Sequence, residues 1–203
     1  MTDFHDPKAH IQSLFDKNYE ARKRKRLCAV SDPSDKFTQE HRELYRELMT
    51  GKESWQTPNA FVSLAPNTPL PKQAFIANIN EFYNTFQRYT FGKDWKKFDK
   101  IAPAWFAIEH EETNIHSHAL LRITPAHLKA FQFKCWKVAV DGENMHSDLV
   151  CRLWKAVTPA GTIRIRRIEK NGLSGAQDYL MKDFQRVQHA RSNLLSLPDL
   201  ATD

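Results

Sequence analysis

From Ile115 to Ile123 the chain alternates with a period of two. Ile115, Ser117, Ala119, Leu121 and Ile123 fall on one side of an extended chain, and His116, His118, Leu120 and Arg122 on the other. A helix would scatter these residues around its circumference, so the pattern predicts a strand with one face on a core. The run Ala104 to Glu109 precedes it across the polar stretch Glu111-Glu112-Thr113-Asn114, which gives a hairpin. Such a hairpin needs a cover. Phe75, Ile79, Phe82 and Phe86 recur with helical timing, Ile76 and Tyr83 widen the stripe, Pro71 opens the segment and Gly92 closes it. This is an amphipathic helix made to lie on a sheet.

The remaining segments fit that scheme. Asn59 to Leu64 is β-prone, and Thr162-Ile163-Arg164-Ile165-Arg166 alternates with an arginine face. Phe131 to Val140 suggests another strand. A helix entered at Asp141 or Gly142 would carry Met145, Leu149, Leu153 and Trp154. Pro125 starts a helix, and Ser174 is the expected N-cap of a last helix running to about residue 187. The order predicts an α+β sandwich with a largely antiparallel central sheet and helices on its faces. Residues 1–56 read as a charged arm or helical extension, with a helix over Thr38 to Met49. Residues 57–190 read as the compact domain, and 191–203 as a loose tail.

Composition narrows the class. Hydrophobic residues make up 41% of 203, enough for a folded core, and no run of 18 apolar residues exists to span a membrane. Met1 to Asp6 lack a basic stretch leading into an apolar one, so no secretory signal is expected and an intracellular, cytoplasmic location is, the nucleus being open in a eukaryotic host. Cys28, Cys135 and Cys151 have no CxxC spacing and read as reduced thiols. The net charge of +6 fits a nucleic-acid partner. The cluster Arg22 to Arg26, with Arg24 and Lys25 at its centre, reads as a phosphate grip or as a solvated face.

Three constellations carry chemistry. His116 and His118 share a strand face, and Glu109 ends the preceding strand where it can face them. Two imidazoles and a carboxylate can hold Mn²⁺ or Mg²⁺ with positions open for phosphate oxygens; the other reading is a pair of surface histidines. Tyr179 and Lys182, three apart on a helix, read as a nucleophile with a cation beside it, or as an interface tyrosine with a solvent-facing lysine. Arg164 and Arg166, with Arg167 beside them, form a phosphate-binding strip or a charge-protected edge strand.

Together these elements resemble the HUH endonucleases, specifically the rolling-circle replication initiators (Rep proteins) with a single tyrosine. Phe61-Val62-Ser63-Leu64 is similar to the first motif of that family, Ile115 to Leu121 to the metal-binding second, and Tyr179-Leu180-Met181-Lys182-Asp183 to the third, Tyr-x-x-Lys. The likeness covers about 57–188. Ser117 stands where the family usually has a hydrophobic residue. The tyrosine follows the histidines, unlike in conjugative relaxases, and Lys182 stands where single-tyrosine transposases usually carry glutamine.

The resemblance implies a ferredoxin-like sheet whose open face holds the metal on Glu109, His116 and His118, with Glu112 as the fallback for Glu109. It implies attack by Tyr179 on single-stranded or hairpin origin DNA, a 5′-phosphotyrosine link, and a free 3′-hydroxyl. Lys182 would assist at the phosphate, and Arg164, Arg166, Arg167 and the arm would hold the DNA backbone. No GxxxxGK[ST] occurs, so a host helicase and polymerase are the expected partners. The alternatives are a non-catalytic DNA-binding regulator on the same scaffold, a single-tyrosine transposase, and a small metal-dependent hydrolase of another fold that uses His-x-His without tyrosine chemistry.

Overall fold

A computed structural model describes residues 36–97, 101, 103–110, 113–137, 143–169, 171–184, 190 and 192–197. The basic cluster with Arg24 and Lys25, Cys28 and Glu112 lie outside the described residues.

The strands are β1 (Ala60–Ala65), β2 (Ala104–Glu109), β3 (His116–Leu121), β4 (Lys134–Lys137), β5 (Glu143–His146), β6 (Thr162–Arg167) and β7 (Leu194–Leu197). The helices are α1 (Gln39–Thr50), α2 (Lys72–Phe91), α3 (Pro125–Ala130), α4 (Asp148–Val157) and α5 (Leu173–Leu180). The strands form one open sheet in the order β4-β5-β6-β1-β3-β2-β7, and every pairing is antiparallel. Its centre, β6-β1-β3-β2, is joined by α2 between β1 and β2 and by α4 between β3 and β6. This is the split βαβ arrangement of a ferredoxin-like sandwich, so the α+β class expected from the sequence is the one found. The β4–β5 hairpin extends one edge of that unit and β7 the other. Among the described residues no helix is long and apolar enough to cross a membrane.

Local chemistry sets the element ends. Gly92 stops α2 with a left-handed φ of 85°, which a residue without Cβ adopts freely. Thr124 caps α3 through its hydroxyl while His127 returns the bond to the Thr124 backbone, and Pro125 takes the first helical position.

The two faces of the sheet differ. On the closed face Phe75, Ile79, Phe82 and Phe86 of α2 and Trp154 of α4 cover Val62, Leu64, Phe106, Ile108, Ala119 and Leu121, all buried. Ser117 points into this core and is fully buried, so the departure from the family motif lies away from the histidines. On the other face α1 and α5 cover only the β2–β3 side: Tyr45, Met49, Leu180 and Met181 pack with Trp105, Ala107 and Leu120. Beyond β1, no described helix covers that face.

Four expectations are corrected. Met145 lies in β5, not in a helix. Ser147 accepts a bond from the Val150 N–H and starts α4 later, while Glu143–His146 pairs between β4 and β6. Ser174 lies inside α5, whose N-cap is Gly172 without a side-chain bond. That helix ends at Leu180, and Lys182 sits in the following turn, where its N–H bonds the Tyr179 carbonyl at 3.2 Å. The expected tail contains β7, which Leu194–Leu197 forms by pairing with β2. Four residues are too short for a periodicity signal.

Candidate active site and metal centre

Antiparallel register builds the site. Glu109 pairs with His116, Ala107 with His118, and His118 with Ser63, and residues directly opposite share a face. The Glu109 Oε2 atom lies 3.4 Å from His116 Nε2 and 4.0 Å from His118 Nε2. Glu109 is only 5% exposed, and neither of its oxygens accepts a hydrogen bond of good geometry. The charge beside it is Lys182, whose Nζ is 3.0 Å from Oε2. That ion pair compensates the buried charge, and the remaining carboxylate lone pairs are free to take a further cation.

The imidazoles are oriented toward the same carboxylate. The Nδ1 of His116 is 2.9 Å from the Asn114 carbonyl, which can only accept, so Nδ1 carries the proton and Nε2 offers its lone pair toward Glu109. The Nδ1 of His118 is 2.9 Å from Ser63 Oγ and can donate to that hydroxyl, which frees Nε2 likewise. Burial, then electrostatic repulsion from the neighbouring His116 and Lys182, pull His118 down to about 4, so the ring is neutral at pH 7, as a ligand must be. Metal bonds of about 2.1 Å set two ligand atoms about 3.0 Å apart at a right angle and about 4.2 Å apart when opposite. The observed 3.4 and 4.0 Å lie in that range. Each imidazole nitrogen therefore stands at a separation from Glu109 that a shared divalent ion can bridge.

His110 is a residue that pattern reading missed. Its φ of 53° is left-handed, unusual for a side chain with Cβ, and its ring stacks on His116 at 5.2 Å. Ligand atoms of Glu109, His110 and His116 lie within 4.8 Å of one another, the one such group among the described residues, and it holds His110 where the sequence pattern put His118. Ser63 was also missed as the partner of His118. Register alone could have supplied it, once β1 was set beside β3.

Tyr179 reaches the same place from α5. Its ring packs edge-on against His118 at 5.0 Å and Phe61 at 5.6 Å, with the residue 43% exposed. Lys182 Nζ lies 4.0 Å from the centre of that ring. Burial alone would lower the lysine's pKa, but its close contacts with Tyr179 and the Glu109 carboxylate outweigh it and hold the ammonium above its ordinary value. The short α5 is anchored by α1. Arg46 Nε donates to Asp178 Oδ1 at 2.9 Å, Gln177 donates to the Arg46 carbonyl and to Thr50, and Arg42 donates to the Met181 carbonyl. The expected arm thus includes a helix that holds the tyrosine.

Arg164 and Arg166 lie on the site face of β6, opposite Ser63 and Phe61, exposed and without ion-pair partners among the described residues. Arg167 is apart from them: it lies on the other face of β6 and pairs with Glu143 at 2.9 Å. Cys135 and Cys151 are free thiols. No family model matches the chain, and neither a curated protein nor a solved structure does.

Proposed function

We propose that this protein is a metal-dependent single-strand DNA nicking and rejoining enzyme of the HUH type, acting as a rolling-circle replication initiator. The observation that carries the reading is the convergence on one sheet face of a buried, donor-poor Glu109, two Nε2 lone pairs and an exposed tyrosine packed on His118. Mn²⁺ or Mg²⁺ held by Glu109, His116 and His118 would polarise the scissile phosphate as a Lewis acid. Tyr179 attacks phosphorus through its phenol oxygen. A phosphorus–O(Tyr) bond forms and the phosphorus–O3′ bond breaks. The phenol proton is released, and the departing 3′ oxygen takes one up. No electrons change hands, so the reverse attack by a 3′-hydroxyl rejoins strands. The Lys182 ammonium, 4.0 Å from the centre of the Tyr179 ring, attracts the phosphate. Arg164 and Arg166 hold backbone phosphates. Unwinding and extension of the 3′ end fall to a separate helicase and polymerase where the DNA is replicated in the cell.

Mixing the protein with a labelled single-stranded DNA library tests this on a denaturing gel. A covalent adduct with Mn²⁺ and none with EDTA is the expected result. Salt-sensitive binding with no adduct under any metal contradicts it and leaves a non-catalytic DNA-binding module.

A further inference from the structure

Beyond β1 the site face continues across β6, β5 and β4 as a wing that no described helix covers. The register lines its side chains into rows. Phe61 stands opposite Arg166, Arg166 opposite Asn144, and Asn144 opposite Trp136. A second row starts at the candidate metal site: His118 stands opposite Ser63 and Ser63 opposite Arg164. Continuing the β5–β6 register brings His146 beside Arg164, and His146 pairs with Lys134. Four strand spacings of about 4.8 Å carry this row about 19 Å from His118 to Lys134.

The wing has the chemistry of a polyanion track with a stacking ring. Arg164 and Arg166 are exposed and make no ion pair among the described residues, and Lys134 is exposed as well. The nearby carboxylates are engaged: Glu143, on the other face, by Arg167, and Asp148 by His146 at 3.0 Å. Trp136 is 48% exposed on this face, and its one ring neighbour among the described residues is His146, at 6.4 Å. The closed face of β4 and β5 belongs instead to Cys135 and Met145, so Trp136 is not needed for the core. The row ends in a cleft of about 330 Å³ that Lys134, His146 and Arg152 share with the exposed ring of Tyr89.

We infer that this wing carries single-stranded DNA away from the nicking site, perpendicular to the strands, with phosphates on Arg164 and Arg166 and an unpaired base stacked on Trp136. The inference rests on the nicking reading for the identity of the strand. A base stacked on an aromatic ring gives affinity that tolerates sequence, while arginines give affinity that salt removes.

The test is anisotropy of labelled oligo(dT) with the full chain in EDTA, so that binding is read without cleavage. Trp136→Ala is expected to weaken binding about tenfold with the salt slope unchanged, and Trp136→Phe to retain most of the affinity. Arg164→Ala with Arg166→Ala is expected to flatten the salt slope by about 1.4. Wild-type affinity in Trp136→Ala, equal losses in the Ala and Phe variants, or equally tight Trp136-dependent binding of blunt duplex or of oligo(U) would overturn the inference. Trp136-dependent binding of oligo(dT) with no Mn²⁺-dependent adduct would leave the wing standing and remove the nicking reading.

Discussion

Two histidines, one on each face of the sheet, show how the same physics serves opposite ends. Burial pulls both His127 and His118 down to about 4. On the closed face His127 has both nitrogens engaged. Nδ1 accepts from the Thr124 N–H at 3.1 Å, Nε2 faces Gln87 Oε1 at 3.2 Å, and the ring stacks on Phe86 at 4.7 Å. On the site face His118 engages Nδ1 with Ser63 and leaves Nε2 aimed at a carboxylate 4.0 Å away. The first histidine is a satisfied core residue, and the second is unfinished. Burial and a depressed pKa do not separate structure from chemistry here; the inventory of unmet donors and acceptors does.

The comparison predicts that changes on the site face will affect chemistry and spare the fold, and that changes on the closed face will do the reverse. The largest effect belongs to the proposed nucleophile. Tyr179→Phe should lower adduct formation by about 10³-fold or more while the melting temperature and oligo(dT) affinity stay near wild type. An active Tyr179→Phe protein would remove that side chain from the mechanism. Next comes Phe106→Ala, fully buried on the closed face and three residues from Glu109. It should cost about 3–5 kcal/mol in chemical denaturation, with metal affinity of the folded fraction unchanged. Loss of metal affinity at a matched folded fraction would break the separation of faces.

A smaller effect is pH-linked. The folded pKa of His127 lies below the unfolded value of about 6.5, so its contribution is fully present above that pH and is lost as pH falls toward 4. Denaturation midpoints followed between pH 7 and 4 should show up to about 3 kcal/mol of extra loss in wild type relative to His127→Gln. Parallel curves would show that burial of this ring is not what the pH senses. Ser63→Ala, which removes the partner of His118 Nδ1, should weaken Mn²⁺ binding about 10-fold in calorimetric titration and leave the midpoint within about 0.5 kcal/mol. Unchanged Mn²⁺ affinity would detach Ser63 from the site. The mildest change is Arg46→Ala, which removes one of the ties between α5 and α1. It should slow adduct formation about fivefold without altering Mn²⁺ affinity, on the order of 1 kcal/mol of lost positioning.

The elements that could be read from sequence were those with long periodic patterns. The β3 alternation and the α2 stripe fixed the hairpin, the covering helix and the shared face of His116 and His118. What stayed hidden depended on pairing over distance. β5 and β7 are four residues each and exist because neighbouring strands accept them. His110 joins the cluster through a left-handed turn that no alternation rule anticipates. Arg167 lies beside Arg166 in sequence yet on the other face, where Glu143 meets it. The last helix was read too long because Met181 and Phe184 are apolar at helical spacing. They pack on α1 and the sheet from a turn instead.

The most direct measurement is the position of the covalent bond. Protein incubated with single-stranded DNA and Mn²⁺ would be denatured, digested with trypsin and mapped by mass spectrometry. The account predicts that the nucleotide-bearing peptide is the one cut after Lys170 and Lys182, whose single tyrosine is Tyr179. DNA attached to a peptide carrying Tyr19, Tyr45, Tyr83 or Tyr89, or strand cleavage with no attached peptide at all, would contradict it.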